Sequence, residues 1–248
     1  MPPVSVIIPT FNCAEFLTRA VEFVFAQTYT DYEVIVADDG STDKTCELVT
    51  QWEGKVRYLY QSNHGVSTAR NLAVSEASGE FLAYLDADDM YYPNKLEAQV
   101  AFLDAHPECG LVHSDVTILD ESDRVITRSF NRETGRSVPT GHCLMDLLHH
   151  CHIQIPSVIE RRVCYDRVGG FEERLSFAED YLHWIQIVLH GYAIGYIDEP
   201  LAMYRRRTNS ASANHSKMAE GIFGMLCILL DEDASRERLG TVAQHVTR

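Results

Sequence analysis

The segment VSVIIPTFNCAEFLTRAVEFVFAQTYTDYEVIVADD, residues 4–39, holds two short apolar runs on either side of a longer amphipathic one. Residues 4–8 have the pattern of a buried strand that ends at Pro9, and residues 33–37 repeat it. Between them, residues 14–27 carry apolar side chains at the spacing of one helix face. A strand, a helix and a second strand in this order predict two parallel neighbours in an α/β sheet.

The alternation continues through the first hundred residues. We predict strands at residues 56–60 and 81–85. We predict helices at residues 41–52 with Ser41 or Thr42 as the cap, at residues 66–76, and at residues 93–105 with Pro93 in the first turn. The expected fold is therefore a mainly parallel central sheet flanked by helices.

The second half of the chain is less regular. A hairpin is predicted from residues 111–119 and 124–130, helices at residues 140–150, 178–190 and 216–230, and strands at residues 155–160, 193–197 and 201–205. We expect one domain over residues 1–215, divided near residue 92, and a C-terminal helix and tail over residues 216–248. That helix could pack on the body, bury a homodimer face or lie against lipid, although the acids at 231–233 disfavour an anionic membrane.

Composition restricts the class of protein. The 248 residues are 46% hydrophobic and 23% charged, a globular range that excludes collagen, coiled coil and bulk disorder. The 21 basic and 36 acidic residues give a formal charge of −15, so nucleic acid is not expected as a partner. Seven cysteines without a CxxC pair indicate reduced thiols, and neither a signal peptide nor a transmembrane segment is predicted. We expect a cytoplasmic protein, with a peripheral place at the inner face of the membrane as the alternative.

Three predicted strands end in polar clusters, which are PTFN at residues 9–12, DDGS at 38–41 and DADD at 86–89. Ligands bind beyond the carboxyl ends of strands in an open parallel sheet, so these clusters should form one site. Asp86 and Asp88 repel each other unless a cation lies between them, and such oxygen ligands suit Mg²⁺ or Mn²⁺. The alternative is that Asp88 or Asp89 caps the helix that follows.

Other acidic residues have more than one interpretation. Asp39 is a candidate ligand residue, because a carboxylate can accept a hydrogen bond from a base N–H or a ribose hydroxyl. Asp38 and Asp43 could instead form a turn that leads into a helix cap. Glu179 and Asp180 begin a predicted helix, where acids interact favourably with the helix dipole whatever their function.

Seven separated motifs occur in an order that resembles the family 2 glycosyltransferases of the bacterial, non-processive type, which have the GT-A fold. The motifs are VSVIIPTFN at 4–12, QTYTDYEVIVADDGSTD at 27–43, GVSTARN at 65–71, YLDADD at 84–89, VGGFEE at 168–173, AEDY at 178–181 and EPLAMYR at 199–205. The resemblance covers about residues 3–212. The sequence has no Gln-x-x-Arg-Trp motif, which disfavours a processive polysaccharide synthase.

The resemblance implies an inverting transfer from a nucleotide diphosphate sugar, a UDP-sugar foremost, to a hydroxyl of a glycan or a lipid-linked saccharide. Residues 1–92 would bind the donor and residues 93–215 the acceptor. The nucleotide-sugar-binding residues would be Pro9, Thr10, Phe11, Asp39, Arg70, Asp86, Arg205 and Arg207. Asp88 would contact the Mn²⁺ or Mg²⁺ that bridges the diphosphate, with Asp86 at the ribose or in the metal shell. Asp180 would be the general base, and Glu179 would hold the acceptor.

The sequence departs from the family pattern at two places. Arg207 stands where the family often has histidine, and the arginines at 205–207 could form a lid over the diphosphate or a solvated basic loop. HWIQ at residues 183–186 stands where the family commonly has Leu-Trp-x-Arg.

Two other functions are considered. A non-catalytic nucleotide-sugar or glycan-binding module would need no base, and a sugar-phosphate nucleotidyltransferase would have a Gly-rich first loop with Arg and Lys instead of PTFN at 9–12.

Overall fold

The computed structural model describes residues 3–208 and 214–231. The first half alternates strands and helices, as the sequence predicts. Its elements are β1 (Val4–Thr10), α1 (Ala14–Phe25), β2 (Tyr32–Asp38), α2 (Thr45–Val49), a 3-10 helix (Thr50–Trp52), β3 (Val56–Tyr60), α3 (Val66–Glu76) and β4 (Phe81–Tyr84).

The second half contains shorter elements between two long ones. They are β5 (Met90–Tyr91), α4 (Lys95–Ala105), β6 (Cys109–Leu119), β7 (Val125–Thr127), α5 (Phe130–Thr134), α6 (Leu144–His149), a 3-10 helix (Ile155–Ser157), β8 (Ile159–Arg161), α7 (Arg162–Val168), α8 (Glu179–Leu189), β9 (Ala193–Arg205) and α9 (His215–Asp231). β5, α5 and α7 were not predicted, because elements of two to seven residues are too short to show a periodic pattern.

The nine strands found in the described residues form one sheet in the order β3-β2-β1-β4-β8-β6-β9-β5, and β7 pairs with β6. β1 to β4 pair in parallel, so their carboxyl ends lie at one edge. β8 is antiparallel to both β4 and β6, whereas β6 and β9 are parallel. The predicted α/β class with a helix-flanked central sheet is confirmed, and its parallel pairing is concentrated in the first four strands.

One predicted break in the sheet is absent, because the two strands predicted at 193–197 and 201–205 are the single strand β9. The pairing of β9 with β6 shifts register between Ser114 and Asp115, which leaves Asp198 and Glu199 outside the ladder. This bulge and the following Pro200 interrupt the apolar run of the strand. The sequence pattern therefore indicated two strands where the backbone forms one.

A second predicted strand, at residues 155–160, is also wrong in its first half. Pro156 lies in a 3-10 helix, and only Ile159–Arg161 pairs in the sheet. The second arm of the predicted hairpin is likewise short, since β7 ends at Thr127 and α5 follows at once. The predicted helix at residues 140–150 is reduced to α6.

The cap predicted for α2 is wrong, and the actual contacts connect two turns of the site. Neither Ser41 nor Thr42 caps α2; Asp43 accepts a hydrogen bond from the Thr45 N–H at 3.0 Å. The second oxygen of Asp43 accepts the first backbone N–H of α1 at 3.0 Å. Ser41 Oγ instead accepts the N–H of Asn12 at 2.8 Å. The turns after β1 and β2 are therefore held together by side chains.

The core forms a layer on each face of the sheet. Val4, Val6 and Ile8 of β1 pack with the apolar side chains of α1 and α4, whereas Ile7 faces α3 and α8. This alternation is the two-residue period of a strand buried on both faces. The seven cysteines are free thiols, as predicted.

The C-terminal helix α9 packs on the second of these layers. Met225, Ile228 and Leu229 are buried against the body, whereas Phe223 and Leu230 are exposed. The helix approaches the body closely at Gly221, where a Cβ would lie 2.6 Å from the carbonyl oxygen of Phe177. No helix in residues 3–208 and 214–231 has the length and apolar content required to cross a membrane. The predicted tail, residues 232–248, lies outside the described residues.

Replacing Gly79 with alanine should lower the melting temperature, because the new Cβ would lie 2.6 Å from the backbone nitrogen of Ser5. Overpacking of this kind costs about 1–3 kcal/mol. Gly224 in α9 is the matched control, since its Cβ would meet only a flexible leucine end at 3.1 Å. Gly224→Ala should be neutral or stabilise by up to about 1 kcal/mol through helix propensity. Thermal unfolding by circular dichroism measures both, and equal shifts would contradict the argument.

Candidate functional site

The polar clusters that follow β1, β2 and β4 meet at one edge of the sheet. The N–H of Asp39 donates to the carbonyl of Thr10 at 2.9 Å, and the N–H of Leu85 donates to the carbonyl of Ile7 at 3.0 Å. These bonds bring the three strand ends level with one another. The three polar clusters therefore lie at the carboxyl edge of the parallel strands, and the binding site predicted there stays a prediction.

Asp39 is buried and closes a loop over this edge. One oxygen accepts from Gln61 Nε2 at 2.6 Å and from the N–H of His64 at 2.9 Å, and the other accepts from the N–H of Gly65 at 2.9 Å. Asp38 forms the predicted turn instead, because its Oδ1 accepts the N–H of Ser41 at 2.8 Å. Asp39 is thus a fixed acceptor at the start of α3.

The end of β1 offers both an apolar surface and an unsatisfied polar group. The ring of Phe11 is 49% exposed, although the strand residues before it are buried. Pro9 pairs with Ala37 inside the sheet. Thr10 Oγ1 and Ser67 Oγ are buried and have no hydrogen-bond partner among the described residues. Buried hydroxyls usually have partners, so these two are available to a ligand.

Arg70 connects the acids of β4 to those of α8. Its Nη2 lies 2.8 Å from Asp86 Oδ1, and its Nη1 lies 2.6 Å from Glu179 Oε1. The guanidinium is 3% exposed and stands 5.3 Å from the ring centre of Phe171. The resemblance assigned Arg70 to the nucleobase pocket, but the described contacts of its guanidinium are with these acids. Sequence reasoning missed this bridge, which joins residues 109 positions apart.

The turn DADD is held by arginines rather than by the helix after it. Asp89 Oδ1 accepts the N–H of Arg205 at 2.8 Å, and Arg207 Nη1 lies 3.2 Å from Asp88 Oδ2. α4 has no side-chain cap at its start, so the alternative that Asp88 or Asp89 caps it is wrong. Burial, and then the charge of Asp86, raises the pKa of Asp88.

Asp86 and Asp88 are oxygen donors of the kind that a divalent cation takes together with ligands from a substrate. Their side chains are 30% and 23% exposed, and the charge of Asp86 disfavours the charge of Asp88. No group of three or more histidine, cysteine, aspartate or glutamate side chains in the described part of the chain is arranged to hold a metal. Mg²⁺ and Mn²⁺ are commonly bound by one or two carboxylates together with phosphate and water. The two acids suit that arrangement.

Arg205, at the end of β9, and Arg207, just after it, have different surroundings. Arg205 is buried, with Nε donating to the carbonyl of Asp88 at 2.8 Å and Nη1 lying 2.6 Å from Asp123 Oδ1. Arg207 is 32% exposed and stands 4.7 Å from the ring centre of Phe16. The guanidinium of Arg205 is therefore occupied by protein groups and supports the turn. Arg207, unlike Arg205, has a partly exposed guanidinium, and this guanidinium lies beside Asp88.

Glu179 and Asp180 begin α8 after a strained residue. Ala178 has a φ of 62° in the left-handed region, which costs a residue with a side chain about 1 kcal/mol or more. Glu179 is paired with Arg70, so it is not simply an acid at a helix terminus. Burial, and then the charge of Glu179, raises the pKa of Asp180 to about 7, against the opposing effect of Arg70.

The loop after α6 lies beside this pair, which the sequence did not reveal. The charge of Asp180 contributes to a raised pKa of the Cys151 thiol, and Tyr181 Oη donates to the carbonyl of Leu147. A carboxyl group with a pKa near neutrality can accept a proton from a bound hydroxyl at physiological pH. The arrangement thus joins a candidate base to a candidate cation site through Arg70.

The unfolding temperature of Asp180→Asn should exceed that of the wild type more at pH 8.5 than at pH 5. The pKa of Asp180 is about 7 in the folded protein, against about 3.9 in an unfolded chain. Its stabilising contribution is full below the lower value and is lost as the pH rises through 7, because the buried carboxylate must then carry a charge. The Asp180→Asn variant avoids that cost, because an amide side chain carries no charge. Exposed Asp31→Asn is the control, and an equal difference at both pH values would contradict the argument.

Comparison with known proteins agrees with this geometry. The model of glycosyl transferase family 2 matches residues 5–162. An uncharacterized glycosyltransferase of Rickettsia typhi is 31% identical over 193 residues, which are 75% of this chain and 59% of that protein. The Escherichia coli UDP-Glc:alpha-D-GlcNAc-diphosphoundecaprenol beta-1,3-glucosyltransferase WfaP is 31% identical over 223 residues, 88% of this chain and 82% of that protein. The chain spans about three fifths of the length of the Rickettsia typhi relative.

Solved structures share the fold. Residues 1–349 of S. aureus TarS, in complex with UDP, superpose with a TM-score of 0.68 at 23% identity, over 93% of this chain and 66% of that one. The Pyrobaculum calidifontis mannosyltransferase PcManGT, in complex with GDP-Man and Mn²⁺, gives a TM-score of 0.73 at 21% identity, over 93% and 65%. With the extended match to the family model, these findings show that the chain belongs to glycosyl transferase family 2.

Proposed function

We propose that the protein transfers a sugar, with inversion, from a nucleotide diphosphate sugar to a hydroxyl of a glycan or lipid-linked saccharide. The observation that carries this proposal is the connection of the two acids at the start of α8 to the DADD turn. Asp180, whose pKa is raised to about 7, follows Glu179, and Arg70 joins Glu179 to Asp86. A base and a diphosphate site are thus held at a fixed separation by one guanidinium.

The residues at the ends of β1 and β2 offer groups that suit the nucleotide of a donor. The exposed ring of Phe11 offers a stacking surface for a base, and the fixed carboxylate of Asp39 offers an acceptor for a base N–H or ribose hydroxyl. The hydroxyl of Thr10, the residue before Phe11, is buried and has no hydrogen-bond partner among the described residues. UDP is the foremost candidate, since WfaP uses UDP-Glc and TarS was solved with UDP, although PcManGT was solved with GDP-Man.

The diphosphate would be held from two sides. Asp86 and Asp88 would hold Mn²⁺ or Mg²⁺, which supplies positive charge to the departing diphosphate when bound. Arg207 pairs with Asp88 at the open side of the turn, so its guanidinium can also turn to a phosphate oxygen. Arg205 would act indirectly, by fixing the backbone of Asp88 and Asp89.

Asp180 would take the proton of the acceptor hydroxyl as the acceptor oxygen attacks the anomeric carbon. The bond from that carbon to the diphosphate oxygen breaks in the same step, and one displacement inverts the configuration. Glu179, held by Arg70, would orient the acceptor. No side chain needs to form a covalent intermediate. A base whose pKa lies near the working pH is the efficient choice for this proton transfer.

The acceptor is proposed to be a surface glycan or a lipid-linked saccharide. The acceptor printed in the name of WfaP is GlcNAc-diphosphoundecaprenol, and the Bacillus subtilis relative TuaG, 27% identical, is named for putative teichuronic acid biosynthesis. A lipid-linked acceptor agrees with a peripheral position at the inner face of the membrane. A homodimer through the exposed side of α9 remains a prediction.

Asp180→Asn should reduce transfer by about 10²–10⁴-fold and leave donor binding intact, because it removes a base but no donor contact. Product formation from radiolabelled UDP-sugars with glycan and lipid-linked acceptors measures transfer, and thermal shift measures donor binding. Asp198→Asn is the control, since that acid is exposed and its side-chain partners in the described part of the chain are Arg132 and Tyr196. Donor binding without transfer by the wild type would favour the non-catalytic binding module.

One nucleotide class should raise the melting temperature, and EDTA should cancel most of the shift. A ligand at a hundred times its dissociation constant stabilises by about 2.7 kcal/mol. The panel is UDP-, GDP-, dTDP- and CMP-sugars with Mn²⁺, Mg²⁺ or EDTA. Asp88→Asn should weaken the metal-dependent part, because it removes a carboxylate from the DADD turn, whereas Asp198→Asn should not. A shift that is the same with metal and with EDTA would contradict the Asp86–Asp88 metal site.

A further inference from the structure

A fully buried acid–histidine pair lies behind the site, and the proposed reaction makes no use of it. Glu160 of β8 and His183 of α8 have no exposed side-chain surface. His183 Nε2 lies 2.9 Å from Glu160 Oε2 and 3.2 Å from Oε1, and Tyr84 Oη donates to Glu160 Oε1. Two strands and α8 are joined at this point.

The hydrogen bonds of this pair satisfy its polar atoms. His183 Nδ1 lies 3.2 Å from the carbonyl oxygen of Gly170, so both ring nitrogens face oxygen atoms. The imidazole therefore bridges Glu160 of β8 and the backbone at Gly170. Each group has its polar atoms satisfied inside the protein.

Helix geometry connects the pair to the base. His183 follows Asp180 by three residues and Glu179 by four, so these residues share one side of the first helical turns. Ala178, just before them, is strained and does not fix the turn by a side-chain cap. The bond from His183 to Glu160 therefore anchors the turn to β8.

Phe171 connects the pair to Arg70 as well. Its ring stacks on His183 at 4.6 Å between centres, with 26° between the planes, and the Arg70 guanidinium stands 5.3 Å from the same ring. Asn71 fixes Phe171, accepting its N–H at 2.9 Å and donating to its carbonyl at 2.8 Å. The pair thus supports Arg70 as well as the turn that carries Asp180.

Stability alone gives no reason for a buried acid–histidine pair here. Replacing both partners of a buried hydrogen bond by apolar groups of similar shape can be nearly neutral for stability. The family that the sequence resembles commonly has leucine where this chain has His183. We propose that Glu160 and His183 are positioning residues, which fix the first turn of α8 so that Asp180 meets the acceptor hydroxyl. This inference rests on the proposed function, since it assigns Asp180 its task.

The test replaces the pair by apolar side chains, together with the hydroxyl that bonds it. The variant is Tyr84→Phe, Glu160→Met, His183→Leu, which removes the three polar side chains of the cluster together and leaves the Gly170 carbonyl without its contact to His183. Leu103→Ala is the control, because Leu103 is buried in α4 in the core layer that does not contain Phe171 and Trp184. We expect kcat to fall at least tenfold in the triple variant, with the donor KM and the donor-induced thermal shift within twofold of wild type.

Hydrogen exchange gives a readout that does not depend on transfer. Amides of residues 182–186 should exchange at least tenfold faster in the triple variant and at the wild-type rate in Leu103→Ala. If the triple variant does not fold, Glu160→Gln with His183→Gln retains polar side chains at both positions and takes its place. An unchanged kcat, or a parallel loss of kcat, donor KM and donor shift, would overturn the positioning role. If the wild type shows no transfer, the proposed function fails, and unchanged exchange in the variant would separately overturn the anchoring of α8.

Discussion

Arg70 carries its positive charge inside the protein, and two carboxylates from distant parts of the chain meet it there. A buried guanidinium is tolerated only when its hydrogen bonds and its charge are satisfied, so Asp86 and Glu179 are both required. Asp86 ends the parallel half of the sheet, and Glu179 begins α8 in the second half. The distance between the two sides of the site is therefore set by one side chain.

The carboxyl edge of the parallel strands carries several acids, in a chain that has more acidic than basic residues. Arg70, Arg205 and Arg207 compensate for part of that charge. Burial, and then the charge of a neighbouring acid, raises the pKa values of Asp88 and Asp180. These two acids have different partners. Asp88 is paired with Arg207, whereas Asp180 follows Glu179, which is paired with Arg70. We propose separate tasks for the two carboxylates.

Most of the first half was predictable, because buried strands and amphipathic helices leave a periodic pattern in the sequence. The acids at the strand ends were found by the same logic. The roles of Arg70 and Arg205 were not, since their partners lie 16 to 117 residues away and no local pattern records them. His183 was visible only as a departure from the family pattern. Its partner Glu160 became evident only when β8 was placed beside β4.

The close contact of Gly221 with Phe177 gives α9 a part in the site that its position on the surface conceals. Phe177 directly precedes Ala178, the strained residue from which α8 begins, and a Cβ at position 221 would press on its carbonyl oxygen. α9 therefore supports the segment that carries the two catalytic candidates. A contact made on the exposed side of α9, by a neighbouring surface or by further polypeptide, would act through Phe177 on the acid that is proposed to take the proton.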